Sequence, residues 1–325
     1  MSSSCNFPAR VRDSLDKAGL SFVQAMLMSD ADLQRKANLT KEDMEAVKMH
    51  CAEELVATKF LRAAELKYRF LTTGCKVLDE ELGGGFARRG ITEVSGESGA
   101  GKTQLCLQAA LSVQLSQSSG GAGAGAVYIC TEDTFPSARL QQLLHLWPSI
   151  HAKTIAVKFS DNIFIEHIPD AESLKNCISV RLPNLLRQRK IGLVVVDSIA
   201  GPFRADYDLT QGAVTRAQVL KSIGQELHML ANIHNLTVIC VNQVTAVAGE
   251  NKSLSVPALG LAWANLVTTR LQLHRSDRML AKHDGSKAHI AERLLEVVFS
   301  PYLATKRVPF VVTETGVQGL SKQTI

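Results

Sequence analysis

Eight consecutive residues carry the clearest chemistry. Gly96-Glu97-Ser98-Gly99-Ala100-Gly101-Lys102-Thr103 fits the pattern G-x-x-x-x-G-K-[ST]. Glycines in such a run let the backbone wrap closely, so that successive N–H groups point at phosphate oxygens. A helix starting at Lys102 adds the positive end of its dipole. Lys102 is then set to reach the β- and γ-phosphates of a nucleoside triphosphate, and the Thr103 hydroxyl to ligate a metal ion. The expected cofactors are ATP and Mg²⁺. A plain glycine turn is the alternative, and the apolar strand before and helix after the motif argue against it.

Three more polar positions each follow a short apolar run. Leu193–Val196 ends in Asp197, as a buried strand would deliver a carboxylate to a magnesium shell. Ser198 follows and can assist. Ala126–Cys130 ends in Thr131-Glu132-Asp133. A carboxylate there can polarise the water that attacks a γ-phosphate, with Glu132 the first candidate and Asp133 the fallback. A capping or solvated loop acid is the alternative. Leu236–Val241 ends in Asn242-Gln243, where an amide can bond the γ-phosphate and report its presence to the next loop. Alone that pair is a turn signal; its meaning comes from the other strand ends.

These residues need elements to bring them together. From Ile91 onward, strand-like runs (Ile91–Ser95, Ala126–Cys130, Leu193–Val196, Leu236–Val241) alternate with longer helical patterns such as Lys102–Leu115. That alternation predicts an α/β core, a mostly parallel sheet with helices on both faces. Ligands bind beyond the carboxyl ends of such strands. The segment Ser119–Gly125 reads as a flexible glycine-rich surface loop. In front, Val11, Leu15 and Ala18 recur at helical spacing, and Gly19 is a stop. Thr40 is an N-cap with Asp43 three residues on, and Met44, Val47, Cys51 and Leu55 line one helix face. This small helical module is either a packing appendage or a recognition domain. The expected division is 1–57 for the helical domain, 58–72 for a linker and 73–325 for the core.

Composition limits the classes. Hydrophobic residues at 46 % and charged residues at 21 % are those of a water-soluble globular chain. A net charge of +5 and a pI near 8.8 permit nucleic-acid contact without demanding it. The seven cysteines form no C-x-x-C and no zinc spacing, and read as buried free thiols in a reducing compartment. Met1–Cys5 lacks the apolar run of a signal peptide, and no stretch approaches membrane-spanning length. An intracellular protein without a membrane partner is expected.

The order of strand ends resembles the RecA/RadA strand-exchange recombinases and their eukaryotic paralogues, over nearly the whole chain. Leu71-Thr72-Thr73-Gly74-Cys75-Lys76-Val77-Leu78-Asp79 followed by Gly83-Gly84-Gly85 is similar to the family's lead-in to the P-loop. Tyr128–Glu132 resembles its strand ending in the catalytic glutamate, and Val241-Asn242-Gln243-Val244 its glutamine switch before the second DNA loop. Cys5-Asn6-Phe7-Pro8 and Thr131–Pro136 are similar to the eukaryotic paralogue branch. The resemblance implies a RecA-like P-loop ATPase core behind a small helical N-terminal domain. It also implies DNA loops near Gly201–Thr215 and Val244–Leu261. The first holds Arg204 and Tyr207, a cation and an aromatic suited to phosphates and base stacking. The second holds Gly249, Asn251 and Lys252. Plain solvated loops are the alternative for both.

The family's Phe-x-x-Ala connector, which adds a strand to a neighbour's sheet, is matched by Phe60-Leu61-Arg62-Ala63. One departure stands out. Where filament-forming members carry an acid and a proline that cap the neighbour's ATP, this chain has Phe299 and Ala304. The resemblance thus implies an accessory protein of homologous recombination. It works with a related recombinase paralogue on single-stranded or branched DNA, builds no homopolymeric filament, and hydrolyses ATP slowly at best. That function implies the nucleus, with the cytoplasm also open. Two rivals remain: a P-loop ATPase unrelated to recombination, and a nucleotide-gated scaffold without catalysis.

Overall fold

The computed structural model describes residues 8–20, 25, 28–56, 68–150, 159–204, 212–247, 254–281 and 289–321. The chain divides into two compact units, Met1–Lys67 and Tyr68–Ile325. Phe60, Ala63, Tyr207, Gly249, Asn251 and Lys252 lie outside the described residues.

In the first unit, helices α1 (Ala9–Lys17), α2 (Asp30–Ala37) and α3 (Lys41–Val56) surround a small core. Val11 and Leu15, Leu33 and Ala37, and Met44 and Val47 are buried in it, spaced three or four apart on each helix. The start of α3 is a reciprocal cap. Asp43 N donates to Thr40 Oγ1 at 3.2 Å, and Thr40 N donates to Asp43 Oδ2 at 3.0 Å. Arg10 Nη2 on α1 meets Asp43 Oδ1 at 2.6 Å and ties the two helices.

The second unit is built on a nine-stranded sheet. Its strands in chain order begin with β1 (Phe70–Leu71) and β2 (Phe86–Ala87), which form a separate antiparallel pair. They continue with β3 (Ile91–Gly96), β4 (Gly125–Cys130), β5 (Ile163–His167), β6 (Ile191–Asp197) and β7 (Thr237–Asn242). A second antiparallel pair, β8 (Val244–Val247) and β9 (Leu254–Pro257), stands as a ribbon. Last come β10 (Thr269–Ala281), β11 (His289–Phe299), β12 (Lys306–Thr313) and β13 (Gly316–Gly319). The order across the sheet is β13-β12-β11-β10-β3-β7-β6-β4-β5. From β10 to β5 all neighbours are parallel; from β10 to β13 they are antiparallel.

Both faces of the parallel part are covered, as the unbroken apolar runs require. Side chains alternate along β6. Leu193 and Val195 join one core with helices α4 (Lys76–Glu81), α5 (Lys102–Ser112) and α6 (Ser137–Ile150). Val194 and Val196 join the other, with α7 (Ala171–Asn176), α8 (Leu182–Gln188) and α9 (Gly212–His234). Four of the described cysteines, Cys106, Cys130, Cys177 and Cys240, are buried free thiols, and Cys75 is a half-buried one. No helix among the described residues is long and apolar enough to cross a membrane.

Two expectations are corrected. Ser119–Gly125 is not a loose surface loop. Gly121 and Ala122 are buried, and Gly121 N, Ala122 N and Gly123 N donate to Ser116 O, Val113 O and Leu115 O. A Cβ on Gly121 would lie 2.1 Å from the Leu115 carbonyl oxygen, so the glycine serves close packing rather than flexibility. The flanks of the second expected DNA loop are not irregular either, because Val244–Val247 pairs with Leu254–Pro257.

Candidate functional site

The parallel register lines up the four strand ends. Ser95 on β3 lies opposite Asn242 on β7, Val241 opposite Asp197 on β6, and Asp197 opposite Cys130 on β4. The residues just beyond therefore emerge side by side at one edge. They line a cavity of about 1300 Å³ that contains Lys102, Thr103, Glu132, Asp133, Asp197 and Gln243.

The glycine-rich turn after β3 wraps as its sequence requires. Gly101 caps α5 with φ 106°, a conformation that disfavours any residue with a Cβ. Lys102 Nζ donates to the carbonyls of Gly96 at 2.7 Å and Glu97 at 2.9 Å, which folds the side chain back over the turn. Burial pushes the Lys102 pKa down, opposed by the charges of Asp197 and then Glu132. Glu97 looks outward, where its Oε1 accepts from Arg275 N at 3.1 Å.

Thr103 Oγ1 donates to Asp197 Oδ2 at 3.0 Å. Tyr128 OH donates to the same oxygen at 2.7 Å and so orients the carboxylate. Burial raises the pKa of Asp197, against those two hydrogen bonds and the Lys102 charge. A hydroxyl and a carboxylate this close beside a phosphate-type turn suit Mg²⁺, which takes one or two protein ligands and fills its octahedron with phosphate and water. Among the described residues no cluster of three or more His, Cys, Asp or Glu could hold a metal ion.

Glu132 stands opposite, its side chain 24 % exposed. Gln243 Nε2 donates to its Oε2 at 2.7 Å, and Arg204 Nη2 meets its Oε1 at 2.8 Å. Glu132, Gln243 and Arg204 of the first expected DNA loop thus form one group. Gly201 makes the approach possible, because a Cβ there would lie 2.6 Å from Glu132 Cγ. Ser198 has a supporting part: its N donates to Thr131 Oγ1 at 2.9 Å, and its Oγ accepts from Gly201 N at 3.2 Å. Asp133 lines the cavity without a hydrogen bond to these groups among those described.

Several cavity residues escaped the sequence, Arg139 and Arg293 among them. Arg139 on α6 donates to Gln104 Oε1 at 2.7 Å and to the Thr313 carbonyl at 2.6 Å, closing the side wall. Arg293 on β11 reaches the Gly99 carbonyl of the turn at 3.3 Å. No local motif marks either one; both depend on elements far apart in sequence.

This sheet, with its P-loop and a polar residue at the end of each neighbouring strand, defines a RecA-like P-loop protein with a small helical region in front. The chain belongs to the Rad51 family, whose model matches residues 66–320. Membership implies nucleotide binding with Mg²⁺. The chain is similar to DNA repair protein XRCC3 of Mus musculus, at 37 % identity covering 96 % of this chain and 95 % of the relative. It is also similar to the DNA repair protein XRCC3 homolog of Arabidopsis thaliana, at 34 % over 77 % and 92 %. DNA repair protein RAD51 homolog 3 of Cricetulus griseus is 32 % identical over 94 % and 88 %.

Proposed function

We propose that this chain is an ATP-binding recombinase paralogue of homologous-recombination DNA repair, working in the nucleus in complex with a related paralogue on single-stranded or branched DNA. The observation that carries the reading is the convergence of Lys102, Thr103, Asp197, Glu132 and Gln243 on one cavity. The relatives' names, which speak of DNA repair, support the setting.

Gly96–Thr103 wraps the phosphates with main-chain N–H groups, and Lys102 supplies a point charge. Thr103 and Asp197 would hold Mg²⁺, which would supply neutralising charge to the phosphate oxygens. Glu132 orients the attacking water, and Gln243 links that carboxylate to the β8–β9 ribbon. Arg204, Tyr207 and Lys252 would bind DNA phosphates and bases, Arg204 exchanging its Glu132 partner for a phosphate. Phe60 and Ala63 add the connector to the partner's sheet edge.

Self-assembly into a filament is not part of this reading. Phe299 ends β11, more than a third exposed, and Ala304 lies exposed in the turn to β12. Neither can supply the acid and proline expected over a neighbour's nucleotide, so a joint site between two copies lacks charge stabilisation. Electron microscopy of the full chain with ATP and single-stranded DNA tests this. Small particles alone, and discrete assemblies when a related paralogue is added, are expected; long regular homopolymeric filaments would overturn the reading.

A further inference from the structure

Beneath the site lies a fully buried carboxylate with no part in the chemistry above. Glu93, on β3, is 0 % exposed. It accepts from Asn242 Nδ2 at 2.8 Å, from Trp263 Nε1 at 2.9 Å and from the Arg270 guanidinium. A structural ion pair explains Arg270, since a buried charge needs a partner. It does not explain what Asn242 does next.

Every polar atom of the Asn242 side chain is engaged. Its Nδ2 donates to the Ala258 carbonyl at 2.8 Å as well as to Glu93, and its Oδ1 accepts from Gln243 N at 2.9 Å. Two acceptors on one side and a donor on the other admit a single orientation of the amide. Ala258 N in turn donates to Gln243 O at 2.8 Å. Gln243 and Ala258 are the two feet of the β8–β9 ribbon. A chain of hydrogen bonds therefore runs from Glu93 through Asn242 to Gln243, and from Gln243 Nε2 to Glu132. Trp263, on the short helix α10 (Gly260–Ala264), serves the same carboxylate and has no hydrogen bond to Gln243 among the described residues.

We propose that Glu93 and Asn242 are positioning residues for hydrolysis. The buried carboxylate holds the Asn242 amide, the amide holds the Gln243 main chain, and the placement of Gln243 against Glu132 follows. This rests on the reading of Glu132 and Gln243 as the hydrolytic pair. The chain of hydrogen bonds ends at Glu132 and includes no atom of the Gly96–Thr103 turn, so turnover should fall far more than nucleotide affinity.

Asn242→Ala and Trp263→Phe each remove one donor to Glu93, and only the first breaks the path to Gln243. The full chain, alone and with a related paralogue, is assayed for ATP turnover with Mg²⁺ and single-stranded DNA. ATP affinity, thermal midpoint and amide hydrogen exchange over residues 243–247 are measured alongside. Both variants should lose some stability. Asn242→Ala alone should lower kcat about tenfold, with ATP affinity within about twofold, and speed exchange about tenfold. Wild-type turnover in Asn242→Ala, or equal turnover losses in both variants, would overturn the proposal. If the unaltered chain shows no turnover in either setting, the hydrolytic reading fails by itself. Exchange then decides the positioning: faster exchange in Asn242→Ala only supports it, and equal exchange overturns it. If Asn242→Ala does not fold, Asn242→Ser is read by the same criteria.

Discussion

Lys102→Ala is expected to weaken ATP binding by about 30-fold to 150-fold, the equivalent of losing ~2–3 kcal/mol of charge-assisted hydrogen bonding. The ammonium is the cation that the turn itself supplies to the phosphates. In the chain as folded its Nζ is satisfied by the Gly96 and Glu97 carbonyls, and burial pushes its pKa down. A depressed lysine pKa means that folding disfavours the charged form, so removing the charge takes away a cost to the fold. Alanine should therefore leave the helix content unchanged. Nucleotide titration and far-ultraviolet circular dichroism on both proteins check the two halves. Unchanged affinity would mean that the turn holds no phosphate.

The largest effect on stability should come from Glu93→Ala, about 3–5 kcal/mol. Alanine takes the partner from the Arg270 guanidinium, whose side chain is 13 % exposed, and among the described residues leaves it the Phe299 ring at 5.1 Å. It also orphans the Trp263 indole N–H and one Asn242 N–H inside the sheet–helix layer. For a unit of this size the thermal midpoint should drop by on the order of 10 °C. A fall of only a degree or two would show that the carboxylate contributes little.

The residues that sequence reading located share one property. Each follows an apolar strand, and in a parallel sheet every strand end points to the same edge. The P-loop needed only a contiguous pattern, and Asp197, Glu132 and Gln243 needed that pattern plus three strands. Arg139 and Arg293 were not legible. Arg293 reaches Gly99 only because β10 and β11 fold back beside β3, and nothing near residue 293 encodes that return. Glu93 was hidden for a different reason. A single acid in a short apolar strand reads as an outward-facing residue, while here Asn242, Trp263 and Arg270 come from three separate elements to satisfy it. In the glycine-rich segment, composition suggested flexibility and close approach to Leu115 decided otherwise. The helical unit in front was legible down to its cap, because Thr40 and Asp43 act locally.

The strand ends of β3 and β6 are expected to hold one nucleotide through a shared Mg²⁺. Calorimetric titration of ATP into the full chain and its Asp197→Ala variant, each with and without Mg²⁺, tests it most directly. The expected result is one site per chain, about tenfold or more tighter with Mg²⁺ in the unaltered protein, and no Mg²⁺ effect in the variant. Binding that ignores Mg²⁺ in the unaltered protein, or a Mg²⁺ effect that survives the loss of Asp197, would contradict it.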